Sequence, residues 1–73
     1  MDIEILVIDD EPSVCTIFRA ILNSEGYHVY SATSYETAIE RIEAAHFHVV
    51  FTDINLGRRS GIEVLKEVKL KGL

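Results

Sequence analysis

The chain has 73 residues, enough for one domain, and its seven Lys and Arg against twelve Asp and Glu give a formal net charge of −5. This acidic balance argues against binding to nucleic acid or to an anionic membrane surface, and no apolar run reaches the roughly 20 residues that cross a bilayer. The acidic N-terminus is unlike a secretory signal and the single Cys15 allows no internal disulfide, so we expect a reducing cytoplasm.

Three short apolar runs predict three strands. Residues 3–8 are almost continuously apolar and β-branched, which is typical of a strand covered on both faces in a parallel sheet. Residues 27–33 are less apolar and predict an edge strand, whereas residues 47–52 predict a third buried strand. Because the first and third runs are the most apolar, the first strand is expected in the middle, in the order 2-1-3.

Three helices are predicted after these strands. Pro12 suits the first turn of a helix, Ser34 can cap the second helix, and Gly26 and Gly72 are placed to end the first and third helices. Residues 55–61 read as a loop by composition. The apolar residues that indicate these helices are a stripe of Val14, Ile17, Phe18, Ile21 and Leu22 in the first, a stripe of Tyr35, Ala38, Ile39 and Ile42 in the second, and Ile62, Leu65 and Val68 in the third.

The resulting β-α-β-α-β-α order predicts an α/β fold, a doubly wound parallel sheet with helices on both faces. The outer side of the third strand has no partner strand within this sequence. An exposed apolar edge is a site of swapping or edge-to-edge pairing. We therefore expect a sheet cut off where a fourth strand would begin.

Acidic residues follow the first and third strands. Ligands of open α/β sheets bind beyond the carboxyl ends of the strands, so Asp9, Asp10 and Asp53 are expected to converge there. Their mutual repulsion is relieved by a divalent cation, and all-oxygen ligation suits Mg²⁺, with the backbone carbonyl of Asn55 as a further ligand. A metal beside a carboxylate neutralises an incoming phosphoryl group, so that Asp53 can attack phosphorus and form an acyl phosphate.

The same residues resemble a known family. Residues 5–12 (ILVIDDEP), followed by residues 49–56 (VVFTDINL) and then Gly61, are similar to the receiver domain of two-component response regulators. The resemblance runs through residues 1–73 and covers the first three βα units of the family's flavodoxin-like (CheY-like) fold, without the fourth and fifth. It implies that Asp53 is the phosphoacceptor.

The resemblance also implies a ligand set and a partner. Asp10 becomes a direct Mg²⁺ ligand, Asp9 a ligand through water, and the Asn55 carbonyl completes the set with Asp53. A sensor histidine kinase would supply the phosphoryl group, in a self-catalysed transfer to a signalling protein rather than a conventional enzyme. We expect this transfer to be impaired here, because the family's Ser/Thr after its fourth strand and Lys after its fifth are not matched.

Other interpretations remain open at this point. Asp9 and Asp10 can simply cap the helix after Pro12, and Asp53 can be an ordinary loop residue. A haloacid-dehalogenase-like phosphatase would need its second Asp two places after the first, whereas here the pair is adjacent. The main alternative is a non-switching half-receiver that acts as an interaction or assembly module through its unpaired third strand.

Several remaining polar groups have ordinary structural interpretations. His46 and His48 are predicted to be polar residues at a strand mouth, without a third ligand for a metal. Cys15 is expected to be a partly buried structural thiol, since no base accompanies it. Arg58 and Arg59 are expected to lie in a solvated loop.

Overall fold

The computed structural model describes residues 2–72, so the two ends of the predicted 1–73 domain, Met1 and Leu73, lie outside them. All three strands and all three helices predicted from the sequence are present, and a short hairpin adds two further strands. The elements are β1 Glu4–Ile8, α1 Pro12–Ser24, β2 His28–Ala32, α2 Tyr35–Ala44, β3 Val49–Thr52, β4 Asn55–Leu56, β5 Arg59–Ser60 and α3 Gly61–Leu70.

Strand β1 occupies the centre of a three-stranded parallel sheet. The order is β2-β1-β3, which confirms the predicted 2-1-3 arrangement and the doubly wound α/β class. In the register, Ile8 lies opposite Ala32 on one side and Thr52 on the other. The carboxyl ends of all three strands therefore lie at one edge of the sheet.

Alternate side chains of β1 enter two separate cores, because successive residues of a strand point to opposite faces. Ile5 and Val7 pack with Cys15 of α1 on the first face. Leu6 and Ile8 pack on the other face with residues of α2 and α3. This second core consists of Leu6, Ile8, Ala32, Ala38, Ile42, Phe47, Leu56 and Val64.

The predicted stripe of α1 is only partly buried. Ile17 and Ile21 are each 59% exposed and Phe18 is 39% exposed, whereas Cys15 is 3% exposed. Helix α1 packs mainly against β1 and β2, so the side of α1 that faces towards β3 meets little apolar surface. The predicted helix is confirmed, and only part of its apolar stripe is buried.

Of the three apolar residues that predicted α3, Val68 packs against the second core and the other two are largely exposed. Ile62 and Leu65 are 54% and 46% exposed, whereas Val64 is fully buried and Gly61 is buried. The apolar residues of α3 allow a buried stripe through either Ile62 or Val64. The helix begins with Gly61 packed against the backbone of Asp53, and this contact turns Val64 towards the core. The prediction for α2 holds, with its stripe buried or half-buried.

Strand β3 is shorter and more exposed than predicted. It begins at Val49, and Phe47 is buried just before the strand. Val49 and Phe51 are 38% and 43% exposed, so one face of this strand is only partly covered by α1, through Phe18. The prediction of a buried strand is therefore wrong for this face within residues 2–72.

The predicted loop over residues 55–61 contains a two-stranded antiparallel hairpin, in which Asn55 lies opposite Ser60. Gly57 turns the chain with φ +65°, a conformation that suits glycine. Ser60 caps α3, as Ser34 caps α2, and Gly26 follows the end of α1 as predicted. Within residues 2–72, the helices are too short and too polar to traverse a bilayer.

Candidate metal centre

The backbone fixes two of the predicted acidic residues next to each other. Ile8 is opposite Thr52, so the next residues along the two strands are Asp9 and Asp53. The amide of Asp9 donates to the carbonyl of Ala32 at 3.1 Å, and the amide of Asp53 donates to the carbonyl of Ile8 at 2.9 Å. Both residues are thus held by hydrogen bonds that continue the sheet beyond its last paired residues.

Three carboxylates meet at this edge of the sheet. One side-chain oxygen from each of Asp9, Asp10 and Asp53 lies within 4.8 Å of the other two. Asp9 and Asp53 are half-buried and Asp10 is exposed. The structure therefore brings together the three acidic residues singled out in the sequence, and their service as metal ligands stays a prediction.

Backbone amides orient two of these carboxylates. Asp9 Oδ1 accepts a hydrogen bond from the amide of Glu11 at 3.0 Å, and Asp53 Oδ1 accepts one from the amide of Asn55 at 3.4 Å. The first bond forms a turn just before α1, in which Asp9 accepts from the N-cap residue Glu11 and not from an amide of the helix itself. Within residues 2–72, no Lys, Arg or His side chain forms an ion pair with any of the three carboxylates.

The donor set fits a hard divalent cation. Two unit charges about 4.8 Å apart repel by about 3 kcal/mol at an effective dielectric constant of 20, and by less where solvent screens them, as at Asp10. A bound cation removes this repulsion. Carboxylate oxygens with room for several waters are the surroundings that Mg²⁺ prefers.

Asn55 is the fourth predicted ligand, through its backbone carbonyl. It is the first residue of β4, its side chain is exposed, and its amide reaches Asp53. Its position two residues beyond Asp53 keeps it beside the cluster. Ligation by its carbonyl remains a prediction.

A cleft of about 290 Å³ opens beside the cluster and gives access to Asp9 and Asp53. The rings of Phe18 and Phe51 form one wall, with centroids 5.9 Å apart and planes tilted by 35°. The lining residues are Val7, Ile8, Asp9, Phe18, Phe51, Thr52 and Asp53. A small anionic group thus has a route to the carboxylates.

Gly61 supports the site in a way that the sequence pattern did not reveal. A Cβ at this position would lie 2.1 Å from the carbonyl oxygen of Asp53 and 2.8 Å from Thr52 Oγ1. The amide of Gly61 donates to the carbonyl of Ile54 at 2.7 Å. Only a glycine lets α3 begin this close to the backbone that carries Asp53. The glycine was part of the motif, but its contact depends on the path of the hairpin.

Arg59 is not a freely solvated loop residue. Its guanidinium carbon lies 3.9 Å from the centroid of the Tyr35 ring, and its Nε lies 2.5 Å from Glu63 Oε2. No local pattern in the sequence indicates this contact, because it links the first residue of α2 to a hairpin that was not predicted. Arg58, by contrast, is exposed in the turn, as expected.

Cys15 and His48 have structural roles. Cys15 is buried, its Sγ lies 3.6 Å from the carbonyl oxygen of Asp9, and burial raises the pKa of its thiol. His48 Nδ1 accepts a hydrogen bond from the amide of Glu4 at 3.0 Å. Among residues 2–72, the three aspartates are the group of acidic, His or Cys side chains placed to hold a metal, and His46 and His48 are not part of it.

Comparisons with known proteins agree with this geometry. The model of the response regulator receiver domain family matches residues 5–72. The transcriptional regulatory protein ZraR of Escherichia coli K12 is 41% identical over 68 residues, which cover 93% of this chain and 15% of ZraR. Response regulator RR06 of Streptococcus pneumoniae is 39% identical over 67 residues, covering 92% of this chain and 31% of that protein.

Solved structures share the fold. Chemotaxis protein CheY4 of Vibrio cholerae superposes with a TM-score of 0.91 at 27% identity, covering 97% of this chain and 59% of CheY4. Response regulator TrrA of Thermotoga maritima, solved in complex with Mg²⁺-BeF, gives a TM-score of 0.89 at 33% identity and covers 99% of this chain and 62% of TrrA. The chain thus spans about three fifths of these structures and a much smaller part of the curated relatives.

Proposed function

The chain belongs to the response regulator receiver domain family, and from this premise we propose that Asp53 accepts a phosphoryl group while Asp9, Asp10, Asp53 and the carbonyl of Asn55 hold Mg²⁺. The observation that carries the proposal is the approach of three carboxylate oxygens to within 4.8 Å of one another. Residues 1–73 would then represent the first three βα units of a receiver domain.

The proposed chemistry is a nucleophilic displacement at phosphorus. A carboxylate oxygen of Asp53 forms the new O–P bond as the N–P bond of a phosphohistidine breaks, and the electron pair of that bond stays on the imidazole nitrogen. The hydrogen bonds that fix the backbone of Asp53 to β1 and its side chain to Asn55 hold the nucleophile in place for in-line attack. The residues of the cleft leave this carboxylate open to the incoming group.

Bound Mg²⁺ would neutralise the negative charge of the phosphoryl group and of the carboxylates around it. The role of Asp9 and Asp10 is to hold this charge beside Asp53. The hydrogen bonds of Asp9 to the carbonyl of Ala32 and from the amide of Glu11 support this role for Asp9.

The proposed partner is a sensor histidine kinase, since receiver domains of response regulators accept phosphoryl groups from such kinases. We propose that the chain is a signalling phosphoacceptor whose transfer is self-catalysed, rather than a conventional enzyme, and that this transfer is impaired in residues 1–73 alone. Direct binding to nucleic acid or membrane is not part of the proposal. The cytoplasm stays the proposed compartment, with which the free thiol of Cys15 is compatible.

Phosphorylation by a small-molecule donor tests the proposal. The chain is incubated with acetyl phosphate, with and without Mg²⁺, and peptide mapping by mass spectrometry locates the added phosphoryl group. We expect the adduct on Asp53, in the presence of Mg²⁺ and not in Asp53→Asn. Asp2→Asn, which removes a carboxylate outside the cluster, should behave like the wild type. An adduct on other residues, or none on the folded protein, would contradict the proposal.

Self-association through β3 is a second candidate role. In residues 2–72, β3 pairs with β1 on one side only, and Val49 and Phe51 are exposed. A second copy could pair antiparallel along this edge, which would place the exposed apolar side chains of the two copies beside each other. The exposed apolar side chains of this strand edge are what support a second copy as the occupant.

Sedimentation over a concentration series tests this second role. We expect a dimer in the wild type and a monomer in Val49→Lys, because a charge blocks edge pairing. Leu70→Lys, which changes an apolar residue of α3 that is 80% exposed, should leave the dimer unchanged. A wild type that stays monomeric throughout the series would exclude this role.

A further inference from the structure

The β4–β5 hairpin carries one side of the metal centre. Its first residue is Asn55, whose amide donates to Asp53 Oδ1 and whose carbonyl is a proposed ligand. A hairpin of two-residue strands is marginally stable by itself. The position of Asn55 therefore depends on what the hairpin contacts elsewhere.

Two contacts hold the inner strand of the hairpin. Leu56 is 5% exposed and belongs to the core formed with α2 and α3. The amide of Gly61 donates to the carbonyl of Ile54. These contacts hold the inner side of β4, and Ser60 of β5 accepts a hydrogen bond from the amide of Ile62 at the start of α3.

Arg59 adds side-chain contacts between the outer strand and the helices. In the hairpin it lies opposite Leu56, and its guanidinium covers the ring of Tyr35, the first residue of α2. Its Nε donates to Glu63 Oε2 in α3, a hydrogen bond that also raises the pKa of Arg59. One side chain thus connects β5 to the two helices on this face of the sheet.

We infer that Arg59 is a positioning residue for the metal centre: by connecting β5 to Tyr35 and Glu63, it fixes the backbone of Asn55 beside Asp53. The inference rests on the proposed function, since it concerns the same site. Arg59 itself contacts no carboxylate of the cluster. Its effect on the metal passes through the β4–β5 ladder.

The direction in which Mg²⁺ affinity changes in Arg59→Ala distinguishes a positioning role of Arg59 from a purely electrostatic one. Removal of a positive charge near an acidic cluster makes the site more attractive to a cation, so a purely electrostatic role of Arg59 predicts tighter Mg²⁺ binding in Arg59→Ala. Loss of positioning predicts weaker binding. An exposed cation–π contact corresponds to about a two- to fivefold change in an equilibrium constant, which sets the upper limit of the effect on Mg²⁺ affinity.

The experiment measures Mg²⁺ affinity by calorimetric titration of the 73-residue chain. Arg58→Ala is the matched control, because it removes the same charge from the neighbouring, exposed position. We expect Arg59→Ala to bind Mg²⁺ more weakly than the wild type, by at most about two- to fivefold, and Arg58→Ala to bind it equally or more tightly. Arg59→Lys should recover only part of the loss, because Lys lacks the planar group that stacks on a ring.

Amide hydrogen exchange without metal provides a second readout. We expect faster exchange at Leu56 and Gly61 in Arg59→Ala and no change in Arg58→Ala, with the amides of β1 unchanged in both. Equal or tighter Mg²⁺ binding by Arg59→Ala, or unchanged exchange in the hairpin, would overturn the inference. A wild type that binds no Mg²⁺ would contradict the proposed function, and the exchange data alone would then decide whether Arg59 holds the hairpin.

Discussion

The two faces of the sheet are packed to different degrees. The face covered by α2 and α3 contains the larger core, in which Leu6, Ile42 and Phe47 are almost completely buried. On the face covered by α1, the core is smaller, and Phe18 and Phe51 keep about two fifths of their surface exposed. The acidic cluster lies at the edge where these faces meet. The difference indicates that the α2/α3 face provides most of the rigidity of the site, while the α1 face leaves a cleft open.

The largest expected effect is a difference in stability between two phenylalanine substitutions, one on each face of the sheet. Phe47→Ala should lower the free energy of unfolding by about 3–5 kcal/mol, because it leaves a cavity in the larger core. Phe51→Ala should lower it by about 1 kcal/mol or less, because 43% of Phe51 is already exposed. Urea titration followed by circular dichroism provides both values.

A milder change keeps this comparison measurable if Phe47→Ala does not fold. Phe47→Leu retains most of the buried volume and should cost less than about 1.5 kcal/mol. Equal losses for Phe47→Ala and Phe51→Ala would show that the two faces contribute alike, contrary to the account.

The second prediction concerns the junction between the larger core and the site. Gly61→Ala should destabilise the chain by about 1–3 kcal/mol and weaken Mg²⁺ binding, because the new Cβ meets the carbonyl of Asp53 and forces it to move. Gly26→Ala is the control, since it introduces strain at φ +94° with no atom within 4 Å of the new Cβ. We expect Gly26→Ala to lower stability and leave Mg²⁺ affinity unchanged, as measured by urea and calorimetric titrations.

The third prediction compares the helix starts on the two faces. Ser34 accepts a hydrogen bond from the amide of Thr37, so Ser34→Ala should cost about 1 kcal/mol. Glu11 occupies the same position of α1 without a capping hydrogen bond from its side chain, and Glu11→Ala should change stability by less than about 0.5 kcal/mol. A loss in Glu11→Ala as large as that in Ser34→Ala would contradict this difference.

The smallest expected effect is a pH dependence of the α1 face. Burial raises the pKa of the Cys15 thiol, so the folded state holds this proton more tightly than the unfolded state. Its contribution to stability is complete below the unfolded pKa, about 8.5, and is lost as the pH rises above that value. Stability should therefore fall more steeply above about pH 8.5 in the wild type than in Cys15→Ala. Identical slopes in urea titrations would contradict this.

The sequence was sufficient for the topology and for the convergence of the acidic residues. Both follow from local signals: continuous apolar runs identify β1 as the central strand, and residues that follow neighbouring parallel strands must share one edge. Asp9 and Asp53 could be placed together for this reason alone.

The remaining features depend on contacts between distant residues. The apolar residues of α3 allow a stripe through either Ile62 or Val64, and only the close fit of Gly61 against Asp53 decides between them. The hairpin at Asn55 and the contact of Arg59 with Tyr35 likewise have no local signal. Phe51 is exposed because of the position of α1 over the sheet. The spacing of apolar residues within α1 does not determine that position.

Calorimetric titration with Mg²⁺ tests the central claim most directly, with charge-matched variants inside and outside the cluster. Asp10→Asn and Asp53→Asn remove a clustered carboxylate, whereas Glu11→Gln removes a neighbouring one outside the cluster. We expect one Mg²⁺ per chain in the wild type, at least about tenfold weaker binding in the two Asp variants, and unchanged binding in Glu11→Gln. Equal weakening in all three variants would show a diffuse attraction to acidic surface and would contradict a shared metal centre.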